Sequence, residues 1–177
     1  MQSPHPRTVR LAAILLVSLA HSAAAQSRPA SQHASVSQTV GGTVIAIEYN
    51  RPGARGRALF GGIVPWGKEW NPGADSATRI RLSTAVTVNG KPLAAGEYSL
   101  WAIPDSTVWT VILSRAAHVY HTPYPTGQDA LRIRVPSRQG TYMESLGLYF
   151  PFVDGSRTVL YLHWGTTVVP LTIQGLP

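Results

Sequence analysis

Two stretches, ATRIRLS at 77–83 and ALRIRV at 130–135, set an apolar residue and an arginine at alternate positions. Residues two apart share one face of a strand but fall on opposite sides of a helix. The pattern therefore demands strands with one wet and one dry face. TVIAIEYN repeats the period, with Ile45, Ile47 and Tyr49 on one face and Val44, Ala46 and Glu48 on the other. Turn residues punctuate these runs: Gly41-Gly42, Asn89-Gly90, Asp105-Ser106 and Asp154-Gly155. Gly-Gly and Asn-Gly tolerate the positive φ of two-residue hairpin turns. No segment carries an amphipathic helical period. The chain is predicted to be all-β, an antiparallel β-sandwich or jelly-roll-like fold of about nine or ten short strands. Pro170, inside the final run VVPLTIQ, predicts an edge strand because proline cannot donate to a ladder.

One segment breaks the rhythm. From Arg51 to about Ser76 there is no strand or helix period, and within it FGGIVPWGKEWNPGAD packs four glycines, two prolines, two tryptophans and two acids. Irregular connections this long between early strands are either structural clasps or functional loops.

The N-terminus reads as a secretory signal. Arg7 and Arg10 precede the apolar run Leu11–Ala20, which is followed by Ala23-Ala24-Ala25, so residues 1–25 are expected to be cleaved before Gln26. The apolar run is too short to span a bilayer, and no integral membrane segment is expected in the mature chain. Removing 25 of the 177 residues leaves 152. Residues 26–34 are expected as a flexible linker and 35–175 as one domain, a length that buries about 70% of the unfolded surface. The chain has no cysteine, which excludes thiol chemistry, disulfides and lipidation at a lipobox thiol. Without Arg7 and Arg10 the formal charge of +7 becomes +5, carried mainly by dispersed arginines. Export and the absence of a basic run argue against nucleic acid as a partner. The expected location is periplasmic or extracellular.

The motifs of common enzymes are missing. There is no G-x-S-x-G elbow, no G-x-G-x-x-G, no P-loop and no H-E-x-x-H, and no cofactor is expected. His118 and His121 form H-x-x-H in a loop without a defined ligand geometry, so no metal is expected. Among the acids, Glu48 and Glu144 stand out, Glu144 because it shares its strand face with Leu146, Leu148 and Phe150 and so should face the core or a cavity mouth. The remaining chemistry is aromatic and arginine-based: five tryptophans, two of them in the long segment, with Arg, Asn and acids nearby. Such a set binds sugar rings through stacking and directed hydrogen bonds, and it equally plugs the end of a sandwich core.

The residues of the long segment also carry a family pattern. Tyr49-x-Arg51-Pro52 with Gly56-Arg57, Phe60-Gly61 with Val64-Pro65-x-Gly67, then Trp70, Gly73-Ala74 and Gly96-x-Tyr98-Ser99-Leu100 resemble the DUF2911 family over about Ser35 to Ile173. The resemblance implies an exported bacterial all-β protein and supplies no reaction. Where that pattern has Arg after the tryptophan and Asn after Gly-Ala, this chain has Asn71 and Asp75, which makes anion binding there less expected. The leading expectation is a non-enzymatic module binding a small polar molecule or glycan at Glu48, Arg51, Arg57, Trp66, Trp70, Asn71 and Asp75. The alternatives are a cell-envelope hydrolase pairing Glu48 or Glu144 with His118 or His163, and a structural or protein-interaction module.

Overall fold

The computed structural model describes residues 30–175. The expected signal peptide (1–25) and the first four residues of the expected linker lie outside the described residues. The described residues contain eleven strands and no helix. β1 (Gln32–Val40), β2 (Thr43–Arg51), β3 (Arg79–Leu82), β6 (Gly96–Ile103), β7 (Val108–Ser114) and β8 (Asp129–Pro136) form one antiparallel sheet in the order β1-β2-β3-β6-β7-β8. The second sheet orders β10 (Val153–Asp154), β11 (Arg157–Gly175), β4 (Val86–Val88) and β5 (Lys91–Leu93), with β9 (Arg138–Tyr149) also paired to β11.

The hairpins follow from the turn chemistry. Gly41 and Gly42 take φ of 52° and 82°, and Val40 pairs with Thr43 across them. A side chain at Gly41 would also collide with Ser156, whose Cβ lies 2.7 Å from where a Cβ would stand. Asn89-Gly90 joins β4 to β5 with both residues at positive φ. Asp105-Ser106 lies in a longer connection, where the Asp105 carboxylate accepts the Thr107 N–H (3.2 Å).

The dry faces meet as the alternation requires. Ile45, Ile47, Ile80, Leu100 and Val111 of the first sheet pack in one core with Leu146, Leu148, Leu160, Leu162 and Leu171 of the second. Each such side chain, fully buried, stabilises the fold by about 1.5–3 kcal/mol. Arg81, Arg132 and Arg134 stay on the wet face.

Three expectations need correction. β1 begins at Gln32, paired to Arg51, so residues 32–34 are strand rather than linker. The final run VVPLTIQ is not a separate strand but the end of β11, whose register shifts around Gly165 (φ 57°). That strand is not an edge: it pairs with β9 as far as Val168↔Arg138 and with β4 from Ile173↔Val88. Pro170 sits where the ladder changes partner, so its missing N–H breaks neither pairing.

The long segment takes the place of strand. β3 has four residues beside the eight of β6, and the slot this leaves between β2 and β6 is filled by residues 70–78. Trp70 exchanges both backbone hydrogen bonds with Ala102 (2.8 Å each), and Leu100 N–H donates to Thr78 O (2.8 Å). Asn50 Nδ2 donates to Ala74 O from the β2 side (2.8 Å). Upstream, the segment is tied to β9 by Ala54 N–H to Glu144 O (2.8 Å) and Leu146 N–H to Pro52 O (2.9 Å).

Candidate functional site

A cleft of about 500 Å³ opens on the outer face of the first sheet where the long segment rejoins it. β2 contributes Glu48 and Asn50, β3 contributes Arg79, β1 contributes His33, and the 115–128 loop contributes His118 and Tyr120. The loop is seated by a small second core, in which Trp101, Ile112 and Ala77 pack against Val119 and Tyr124. β6 is therefore buried on both faces along Tyr98–Ala102, and its sequence does not alternate there.

The polar floor is a linked set. Glu48 and Arg79 face each other across the β2–β3 ladder and form an ion pair. Arg79 Nη1 donates to His118 Nδ1 (2.8 Å), and because a guanidinium can only donate, His118 carries its proton on Nε2 and donates it to Glu97 (2.8 Å). The row thus links two acids through one cation, Arg79, and a singly protonated His118, each fixing the hydrogen-bonding direction of the next. The Tyr120 hydroxyl, 57% exposed at the residue level, and the His33 ring make no hydrogen bond among the described residues. A mixture of spare donors and acceptors suits a ligand whose groups both donate and accept.

The seven expected site residues do not line one cleft. Glu48 does belong to this one. Asp75 sits beside it at φ 60°, with its carbonyl accepting both the N–H (2.9 Å) and the ring Nδ1–H (2.7 Å) of His121. Arg51 Nε donates to Leu146 O (2.9 Å), and Arg57 braces its own turn by donating to Ala54 O (2.9 Å) and Gly53 O (2.7 Å). Asn71 is 1% exposed and ties Leu100 O (2.7 Å) to Thr78 N–H (3.0 Å). Trp70 is stacked on Trp164 at 6.0 Å and 14° within an aromatic group that includes Phe60 and Trp109. Trp66 alone of the segment's tryptophans is exposed, 47%, over a different and smaller cleft. Sequence reasoning missed Arg79, Asn50 and Tyr120 at the cleft. Arg79 was within reach, since Glu48 and Arg79 both fall on wet faces of adjacent strands.

The family model described as "Protein of unknown function (DUF2911)" matches residues 31–173. The chain belongs to the DUF2911 family. No curated protein and no solved structure matches it. The match runs from the residue before β1 almost to the end of β11, so the cleft and the long segment both lie inside the DUF2911 region.

Of the acids and histidines of the hydrolase alternative, Glu48 and His118 line the same cleft of this DUF2911 chain, and Glu144 and His163 do not line it. Glu144, expected to face the core or a cavity mouth, is exposed. Its carboxylate accepts the Tyr142 hydroxyl (2.7 Å) and the Arg55 N–H (2.6 Å), which hold it below the usual glutamate range, the Tyr142 hydroxyl first. His163 is 5% exposed, donates from Nε2 to Thr141 O (2.9 Å) and accepts the Tyr149 hydroxyl at Nδ1 (2.9 Å). His118 has both nitrogens engaged as well. A general base needs a free lone pair directed at substrate, and neither ring offers one. Among the described residues, no group of three or more His, Asp or Glu is arranged to hold a metal ion, and no helix is long and apolar enough to cross a membrane.

Proposed function

We propose that this DUF2911 protein is an exported, non-catalytic binding module. Its ligand is a neutral, hydroxyl-rich small molecule or glycan, held in the cleft between Glu48, Asn50, Arg79, His33 and Tyr120. One observation carries the reading: Glu48, Arg79 and His118 are linked side by side on a cleft of about 500 Å³, with Glu97 holding the far side of the His118 ring. Exposed ion pairs contribute about 0–1 kcal/mol to stability. Such a row does little for the fold, and it fixes donors and acceptors in place at the cleft. Sugar hydroxyls, which both donate and accept, complement such a row.

Isothermal titration of the protein against neutral oligosaccharides tests the reading. Arg79→Ala is expected to weaken binding about tenfold to a hundredfold, the worth of a hydrogen bond to a charged group, while changing stability by less than about 1 kcal/mol. Binding that survives both Arg79→Ala and Tyr120→Ala, or no binding by any oligosaccharide tried, refutes it.

A further inference from the structure

The exposed face of Trp66 borders a second cleft of about 170 Å³ on the opposite flank of the long segment. Its lining includes Asp105 of the β6–β7 connection, Trp109 of β7, Arg138 and Gln139 at the start of β9, and Thr167 of β11. The volume corresponds to about six waters, enough for one ring-sized polar group.

Two features set this cleft apart. Trp109 is 0% exposed, and its indole Nε1 is the one buried side-chain polar atom without a hydrogen-bond partner among the described residues. A buried donor left unpaired costs about 1–3 kcal/mol, and an indole N–H can be satisfied only by an acceptor. By contrast Trp101 and Trp164, equally buried, donate to Ser99 Oγ (2.8 Å) and Glu144 O (3.0 Å). The second feature is Trp66 itself. Its ring is steadied by Phe60 at 5.9 Å and by the close approach of Gly61, where any Cβ would overlap the indole. A large aromatic face is thus held rigid yet presented to solvent, a costly arrangement for a side chain that serves only packing. Asp105, whose carboxylate accepts the Thr107 N–H, supplies a negative charge, whereas the Arg138 guanidinium lies 4.6 Å over the Tyr161 ring, which lines another cleft.

We propose that this cleft is a second saccharide subsite. A neutral sugar ring lies against Trp66, and one of its oxygens accepts the Trp109 indole N–H at the cleft floor. Gln139 donates to a further hydroxyl, and Asp105 accepts from one. The Asp105 carboxylate at the rim selects a neutral ring over an acidic one. The subsite stands on Trp66 and Trp109 and does not depend on the Glu48–Arg79 cleft.

Indole N–H resonances of the ¹⁵N-labelled protein give a direct test, because the five tryptophans contribute five signals. Trp109→Phe identifies the Trp109 signal by its loss. Titration with chitotetraose and with maltotetraose should move the Trp109 and Trp66 signals along one saturable curve for at least one of the two. Trp66→Ala should weaken that curve about two- to tenfold, with Trp66→Tyr restoring most of it. Arg79→Ala should leave it unchanged, which separates this subsite from the first cleft. The proposal is overturned if neither saccharide moves the Trp109 signal at millimolar concentration. It is also overturned if polygalacturonate moves it where the neutral sugars do not, or if Arg79→Ala abolishes the response.

Discussion

Asn71→Ala should unfold the protein more readily rather than alter a ligand surface. The Asn71 amide bridges the long segment to β6, donating to Leu100 O at 2.7 Å and accepting the Thr78 N–H at 3.0 Å. Asn71 is 1% exposed, and Thr78 and Leu100 are each 0%. Truncation leaves two buried backbone groups without their side-chain partner, each at about 1–3 kcal/mol, so the loss is about 2–6 kcal/mol. Near the middle of that range, at about 4 kcal/mol, the melting temperature of a domain this size falls by about 8–16 °C. Urea unfolding followed by tryptophan fluorescence measures the change. The midpoint should fall while the slope stays constant, since the exposed surface on unfolding is little altered. A cost below about 1 kcal/mol, the scale of an exposed side chain, would refute the reasoning. So would an unchanged stability accompanied by lost saccharide binding, which would return Asn71 to the ligand site.

Two further outcomes can be checked, one drawn from the structure and one from the sequence. Glu144 is held below the usual glutamate range chiefly by the Tyr142 hydroxyl and next by the Arg55 N–H, so its folded pKa lies under its unfolded one. Its contribution to stability is therefore present above the unfolded value, about pH 4.3, and is lost as the pH falls through the lower folded value. Tyr142→Phe should raise the Glu144 midpoint in a carboxyl ¹³C NMR titration, and an unmoved midpoint would contradict the assigned cause. Export predicts a mature N-terminus at Gln26, checked by intact-mass measurement on protein from the cell envelope and the medium; an uncleaved chain confined to the cytoplasm would refute it.

The strands were legible because their cause is local. Alternation in RIRL and LRIRV requires only that one face of a strand be dry. Gly41-Gly42 and Asn89-Gly90 needed only the positive φ that their turns demand. Failures came where burial reached both faces or one strand served two partners. β6 lost its alternation because Trp101 has the 115–128 loop above it. Pro170 misled because β11 changes neighbour at that point, a fact of sheet order. Glu144 followed the period but sits beyond the end of the core, among Tyr142 and Arg55.

By itself the sequence determined an all-β chain, most of its turns, and the length and position of the irregular segment, since each depends on neighbours within a few residues. Tertiary structure decided what that segment does. Only packing shows that residues 70–78 fill the slot beside a short β3. Only packing shows Asn71 and Trp70 facing inward while Trp66 stays outside. The same holds for the cleft, where Arg79 and His118 are 39 residues apart in sequence yet share a hydrogen bond. Register and loop closure bring such groups together, and neither is encoded in any short stretch of the chain.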